Sequence, residues 1–301
     1  MSLHHRVLAG SYYPIKLAKD LGRRLGVVSP HALRVLLYHD IAPNDQARFS
    51  EQLRWLARNW TFVSPEHFAT MLSGDEPVHG RNLLLTFDDG FASNRAVAEQ
   101  VLNPLGIRAL FFAVSDFVAM EDREEARHFI AQNIYPGSRT DDLPAHWLNM
   151  GWADLEALLG QGHCIGAHTR THARLSKVEG RLGLEQEIIA SADVLAHRLG
   201  VPIDHFAYTF GDLASFSDKA MAVARQRFRF VYSGLRGDNM GGVSSFAVRR
   251  DASALQDACF NYSVFSNNLL GVFLEGAADS HYAPLRNTLD GWARSVDDVS
   301  D

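Results

Sequence analysis

The chain has 301 residues, 47% of them hydrophobic and 21% charged, with 29 Lys and Arg against 35 Asp and Glu. That balance leaves no strong basic field and argues against a nucleic-acid partner. Two cysteines, Cys164 and Cys259, exclude a disulfide framework and fit a reducing compartment.

Residues 1–31 form an N-terminal extension containing a helical pattern over 14–26. Ile15, Ala18, Leu21 and Leu25 share one face, and Lys16, Lys19, Arg23 and Arg24 lie towards the other. Such a helix either packs on the main domain or rests on an anionic membrane as a peripheral contact. The opening residues lack the apolar run of a secretory signal. The longest uncharged run, 259–274, is interrupted by asparagines and serine and is too short to span a bilayer. The expected location is cytoplasmic, with peripheral contact at the inner membrane.

From residue 32 onwards the pattern alternates. An apolar strand is predicted over 34–38, then a helical spacing of Phe49, Leu53 and Leu56. Ser64 followed by Pro65 marks a helix start, and that helix runs to about 72. A strand over 82–87, a helix over 92–102 and a strand over 109–114 follow. Residues 119–150 are polar, carry an acidic run and a Pro136-Gly137 turn, and read as an inserted helix and loop. The rhythm resumes with a helix at 152–159, a strand at 163–167, a helix at 184–199 and a strand at 205–209. A helix at 217–226, strands at 230–233 and 246–248, and a C-terminal helical region complete the chain. Continuously apolar strands alternating with helices define an α/β fold with a parallel sheet covered on both faces. About seven such units without a Gly-x-Gly-x-x-Gly fingerprint favour a seven-stranded (β/α) barrel over 32–301.

In such barrels, chemistry sits at the C-terminal ends of the strands. There the chain places His39-Asp40, then Asp88-Asp89-Gly90, then His168 with His172 four residues on, then Tyr208-Thr209-Phe210-Gly211. Two histidines and one of the two aspartates suit a divalent transition metal with open positions, and such a metal acidifies bound water. The other aspartate is then free to act as general base. A cation on one carboxylate also relieves the repulsion between the adjacent pair.

TFDDG at 86–90 together with GAHTRTH at 166–172 resembles the polysaccharide deacetylase, or NodB-homology, family, carbohydrate esterase family 4. LLYHDI, the FSEQLRWL helix, LNMGWADLEALLGQGHCIGAHT and FAYTFG extend the resemblance over residues 36–249. It implies a distorted (β/α) barrel and metal-dependent removal of N-acetyl groups from an N-acetylated saccharide. Carried over, Asp88 is the base, Asp89, His168 and His172 are the metal ligands, and the Phe210 N–H helps hold the oxyanion. Zinc is the default metal, with cobalt, nickel, manganese or iron as alternatives.

Two departures stand out. Ala207 and Thr209 replace the arginine and proline common in the family motif around 207–211, leaving Arg249 or Arg250 as candidate partners for the base. A C-terminal Leu-x-His motif is absent, so His39 is the candidate general acid and His281 the alternative. Trp147 and Tyr208, with Arg249, are candidates for substrate contact. Rival readings are a hydrolase of a non-sugar amide or cyclic ureide on the same fold, and a carbohydrate-binding homologue with impaired turnover.

Overall fold

A computed structural model describes residues 3–252 and 266–295. Its strands are β1 (Ala32–Tyr38), β2 (Thr61–Phe62), β3 (Arg81–Phe87), β4 (Leu110–Ala113), β5 (Cys164–Ala167), β6 (His205–Ala207), β7 (Phe230–Tyr232) and β8 (Asp251–Ala252). All pair in parallel, in the order β7-β6-β5-β4-β3-β1-β8, with the short β2 added to the start of β3. The result is a distorted (β/α) barrel with seven strands on the main path.

Alternation along the strands divides the core. Leu33, Val35, Leu84, Leu110, Phe112, Ala207, Tyr232 and Val248 form an inner cluster, closed off by Phe68 and Met71 of the helix Pro65–Ser73. Leu36, Tyr38, Leu83, Leu85, Phe87, Phe111, Ile165 and Phe206 face the outer helices. The Ser64 hydroxyl accepts from the His67 N–H, so the Ser-Pro helix start forms as its sequence dictates.

Two elements differ from expectation. The strand predicted at 246–248 is a 3-10 turn, Ser245–Ala247, because the Ser244 hydroxyl caps it by accepting from the Phe246 N–H. Val248 makes a single parallel bridge to Tyr232, and β8 then pairs with β1. Residues 248–252 thus reach both sheet edges and bring the barrel round. The helix predicted at 92–102 starts as Ser93–Val97 and widens into a π turn, Ala98–Leu102. Cys259 and the first part of the 259–274 run lie outside the described residues, and the run ends in the helix Asn267–Leu274.

The insertion carries its own small core. Asp122 caps the helix Arg123–Phe129, and Phe91, Phe117, Phe129, Ile130 and Trp147 pack together behind it. The N-terminal extension forms two helices, Leu3–Gly10 and Tyr12–Arg24. Tyr12 is buried against Gly271, where a Cβ would stand 2.3 Å from its ring, so only glycine permits this docking.

His163 and His205 sit at strand starts, away from the catalytic rim, and are buried. The His163 Nδ1 accepts from the Ala109 N–H, and His205 Nδ1 lies 3.0 Å from the Tyr232 hydroxyl. Burial pushes both rings down to about 4. The unfolded chain therefore binds more protons than the folded chain between the ordinary histidine range and about 4. Stability present at neutral pH is lost as pH falls through that window, by roughly 2 kcal/mol for His205 at about pH 5. Melting temperatures measured stepwise down to about pH 5 should fall, and His205→Gln should flatten the slope. A slope unchanged by His205→Gln would contradict the assignment.

Candidate active site

The inward register of the strands delivers the site. Along β1, residues 33, 35 and 37 point inward and the next is His39. Along β3 the series 84 and 86 continues to Asp88. Along β5 the series 164 and 166 continues to His168. Ladder bonds carry that register one residue past each strand end: the Asp88 N–H donates to the Tyr38 carbonyl, and the His168 N–H to the Ala113 carbonyl.

The backbone turns sharply beyond these points. Asp89, Thr169, His172 and Phe210 are the non-glycine residues at positive φ among the described residues, at 73°, 63°, 62° and 63°. Such strain persists only where the surroundings over-determine it, and it clusters at functional sites. Here the surroundings do so. Glu187, from the helix Gly180–Leu199, accepts from the Arg170 and Thr171 N–H groups and the Thr171 hydroxyl. The Ser191 hydroxyl donates to the Thr169 carbonyl. At the next loop, Gly211 lies against Gly234 so closely that a Cβ on Gly211 would stand 2.9 Å from the Gly234 Cα.

Asp89, His168 and His172 are buried, and their ligand atoms all lie within 4.8 Å of one another. Asp89 Oδ1 is 3.4 Å from His168 Nε2 and 3.3 Å from His172 Nε2. The other ring nitrogens face backbone carbonyls: His168 Nδ1 lies 2.7 Å from the Ala207 oxygen and His172 Nδ1 2.8 Å from the Asn133 oxygen. A carbonyl only accepts, so Nδ1 carries the hydrogen and, in the neutral ring, Nε2 presents a lone pair. Two lone pairs and a carboxylate oxygen converge on one point, and carbonyls behind the imidazoles fix their orientation. That donor set fits a divalent transition metal. Burial pushes the Asp89 carboxyl up, but hydrogen bonding to His168 and His172 outweighs it and holds the group well below the usual carboxylate range. Burial disfavours a charged His168 ring, whereas Asp88 and Asp89 outweigh burial and raise its proton affinity. A proton and a cation thus compete for the same lone pair.

Asp88 has a different environment. Arg250 Nη1 and Nη2 donate to its two carboxylate oxygens at 2.7 and 2.8 Å, a bidentate pair with the arginine fully buried. Arg250 Nε donates to the Ser233 carbonyl and Nη1 also reaches the Thr86 hydroxyl at 3.3 Å. Of the two arginines considered, the partner of Asp88 is therefore Arg250. Arg249, one residue earlier, points the other way and donates to the Asp238 carbonyl and to Asp290, so it is corrected from substrate contact to a structural ion pair. Thr209, in place of the family's proline, donates to the Ala173 carbonyl.

A cleft of about 430 Å³ opens over these groups, lined by His39, Asp88, Asp89, Tyr135, His168, His172, Arg174, Phe210 and Arg250 among others. His39 Nδ1 is buried without a hydrogen-bond partner among the described residues. Asp40 instead accepts from His146 Nε2 and Trp147 Nε1, both at 2.9 Å. No acceptor meets the Phe210 N–H among the described residues. The Phe210 ring lies 4.8 Å from that of His172, with the Arg174 guanidinium 4.3 Å above it.

Trp147 and Tyr208 do not line this cleft. Trp147 is buried and stacks behind Tyr135 at 4.6 Å, so Tyr135 presents the aromatic surface expected of it. Tyr208 has no exposed surface and stacks on Phe216 at 4.3 Å. His281 lies on the helix Asp279–Arg294, exposed and away from the cleft. Tyr135 was not foreseen; an aromatic residue directly before the Pro136-Gly137 turn was the available signal.

The fold and site define a parallel α/β barrel with a buried two-histidine, one-carboxylate cluster at its catalytic rim. Residues 75–227 match the family model for polysaccharide deacetylases, and the chain belongs to that family. The Bacillus subtilis protein YxkH is 31% identical over 105 residues, which is 33% of this chain and 38% of that relative, well under half its length. Among solved structures, IcaB from Ammonifex degensii superposes with a TM-score of 0.61 at 22% identity, over 81% of this chain and 97% of that one. The BpsB deacetylase domain from Bordetella bronchiseptica gives 0.58 at 19% identity, over 74% and 96%. At these identities the likeness concerns the fold.

Proposed function

We propose that the protein is a metal-dependent hydrolase that removes N-acetyl groups from an amino-sugar glycan or a glycan precursor, acting in the cytoplasm. Sparse cysteine supports the compartment. The observation that carries the reading is the division of labour between adjacent carboxylates. Asp89 is gripped by two imidazoles, and Asp88 is clamped by a buried arginine at the same cleft. Arg250 occupies the place of the arginine missing from 207–211, which weakens one of the two grounds for a binding protein without turnover.

Asp89, His168 and His172 would hold the divalent cation, with zinc the first choice. When bound, it would polarise the acetamide carbonyl and acidify water. The chain's own residues do the rest. Asp88 takes the proton from the attacking water at a carboxylate oxygen, and the Arg250 fork keeps that carboxylate aimed. The Phe210 N–H receives the oxyanion. His39 gives a proton to the departing nitrogen as the carbon–nitrogen bond breaks, releasing acetate and the free amino sugar. Tyr135 and Phe210 offer apolar surfaces to the sugar rings.

Acetate release should be measured across mono-, oligo- and lipid-linked N-acetylhexosamines, with and without a chelator. Release that the chelator abolishes supports the proposal. No release from any of them by metal-loaded protein would refute it. Replacing His39 by Ala should lower turnover by roughly 10²-fold while leaving metal content unchanged. Turnover at the wild-type level would end its role as the acid.

A further inference from the structure

The helix Tyr12–Arg24 is amphipathic in the opposite sense to an ordinary surface helix, which buries its apolar stripe. Its protein-facing side carries the buried Tyr12, the half-buried Ile15 and otherwise polar residues. Arg23 pairs with Glu275, which also binds Arg81 at 2.9 Å. Asp20 pairs with Lys16 and Arg23. The outward side carries Tyr13, Leu17 and Leu21 at four-residue spacing, continued past the helix end by Leu25 and Val27. Those five are between 56% and 79% exposed, and Val7 of the preceding helix is 66% exposed. A contiguous apolar stripe of this kind marks an interaction surface.

Charge identifies its partner. Residues 1–27 hold five Lys and Arg against one Asp, in a chain where acids outnumber bases by 35 to 29. Arg24, exposed on the outward side, has no carboxylate partner among the described residues. An apolar stripe set in a local basic field suits an anionic apolar surface. Two copies meeting through the same stripe would bring their basic sets together, which argues against self-association. Arg81, which shares Glu275 with Arg23, is the first residue of β3, whereas Asp88 follows its last. The helix end therefore lies at the rim opposite the cleft.

We infer that the helix Tyr12–Arg24 and its continuation to Val27 dock the protein on an anionic phospholipid bilayer. Tyr13, Leu17, Leu21, Leu25 and Val27 enter the acyl boundary, and Arg24, exposed beside them, meets headgroup phosphates. Docking by this rim leaves the cleft open to the aqueous side. The inference does not depend on the deacetylase reading.

The test is co-sedimentation of the full chain with phosphatidylcholine vesicles and with vesicles containing phosphatidylglycerol. Wild type should pellet with the anionic vesicles, and less so as salt rises. The double substitution Leu17→Ser and Leu21→Ser should weaken that binding roughly tenfold or more. Arg24→Gln should lower the preference for anionic over neutral vesicles. Both variants replace exposed side chains, so unchanged thermal unfolding controls for the fold. The proposal fails if wild type stays in solution with anionic vesicles, or if the leucine variant binds as well as wild type. It also fails if the stripe instead holds a dimer that the leucine variant dissociates, with no vesicle binding.

Discussion

Arg250→Met should destabilise the protein by about 3–5 kcal/mol and lower turnover by roughly 10²-fold or more. The cost arises because Asp88 is buried and loses both donors at once. A carboxylate stranded in a dry site either remains uncompensated or takes a proton, and a protonated Asp88 cannot serve as base. The double variant Asp88→Asn/Arg250→Met separates the two effects. It should regain much of the lost stability, because neither member of the buried pair is left charged, but none of the activity. Chemical denaturation and acetate release read the two arms. A single variant as stable as wild type would show that the pair contributes nothing to folding.

Asp88→Asn should reduce turnover by roughly 10²–10⁴-fold while the protein keeps its metal. The amide matches the carboxylate in shape but cannot accept the proton, and the metal cluster one residue on is untouched. Asp89→Asn should fail in the other way, losing both metal and turnover. Elemental analysis alongside acetate assays distinguishes the neighbours, although only one bond separates their residues. If Asp88→Asn also lost the metal, the two carboxylates would share one role and the division of labour would be wrong.

Much of this site was legible in the sequence because strands and motifs are local. The apolar runs of β1, β3 and β5 fixed their inward register, and His39, Asp88 and His168 simply extend it. Arg250 was visible only as one of two arginines. Its role depends on residues 248–252 crossing between β7 and β1, a closure made by contacts far apart in the chain. Tyr135 was hidden for a similar reason. It reaches the cleft from the end of a π turn, Ile130–Ile134, which also brings the Asn133 carbonyl to His172. The tryptophan singled out for its place beside the insertion, Trp147, supports that tyrosine from behind. The direction of the N-terminal helix was likewise settled by one distant contact, Tyr12 on Gly271. Periodicity alone had offered either the domain or a membrane to its apolar side.

The most direct measurement strips the protein of metal, assays acetate release, restores one equivalent of zinc and assays again, with His168→Ala carried in parallel. The account predicts one divalent ion per wild-type chain, no release after stripping, recovery on restoration, and neither binding nor release in the variant. Undiminished release from stripped protein, or a full equivalent of metal on His168→Ala, would contradict it.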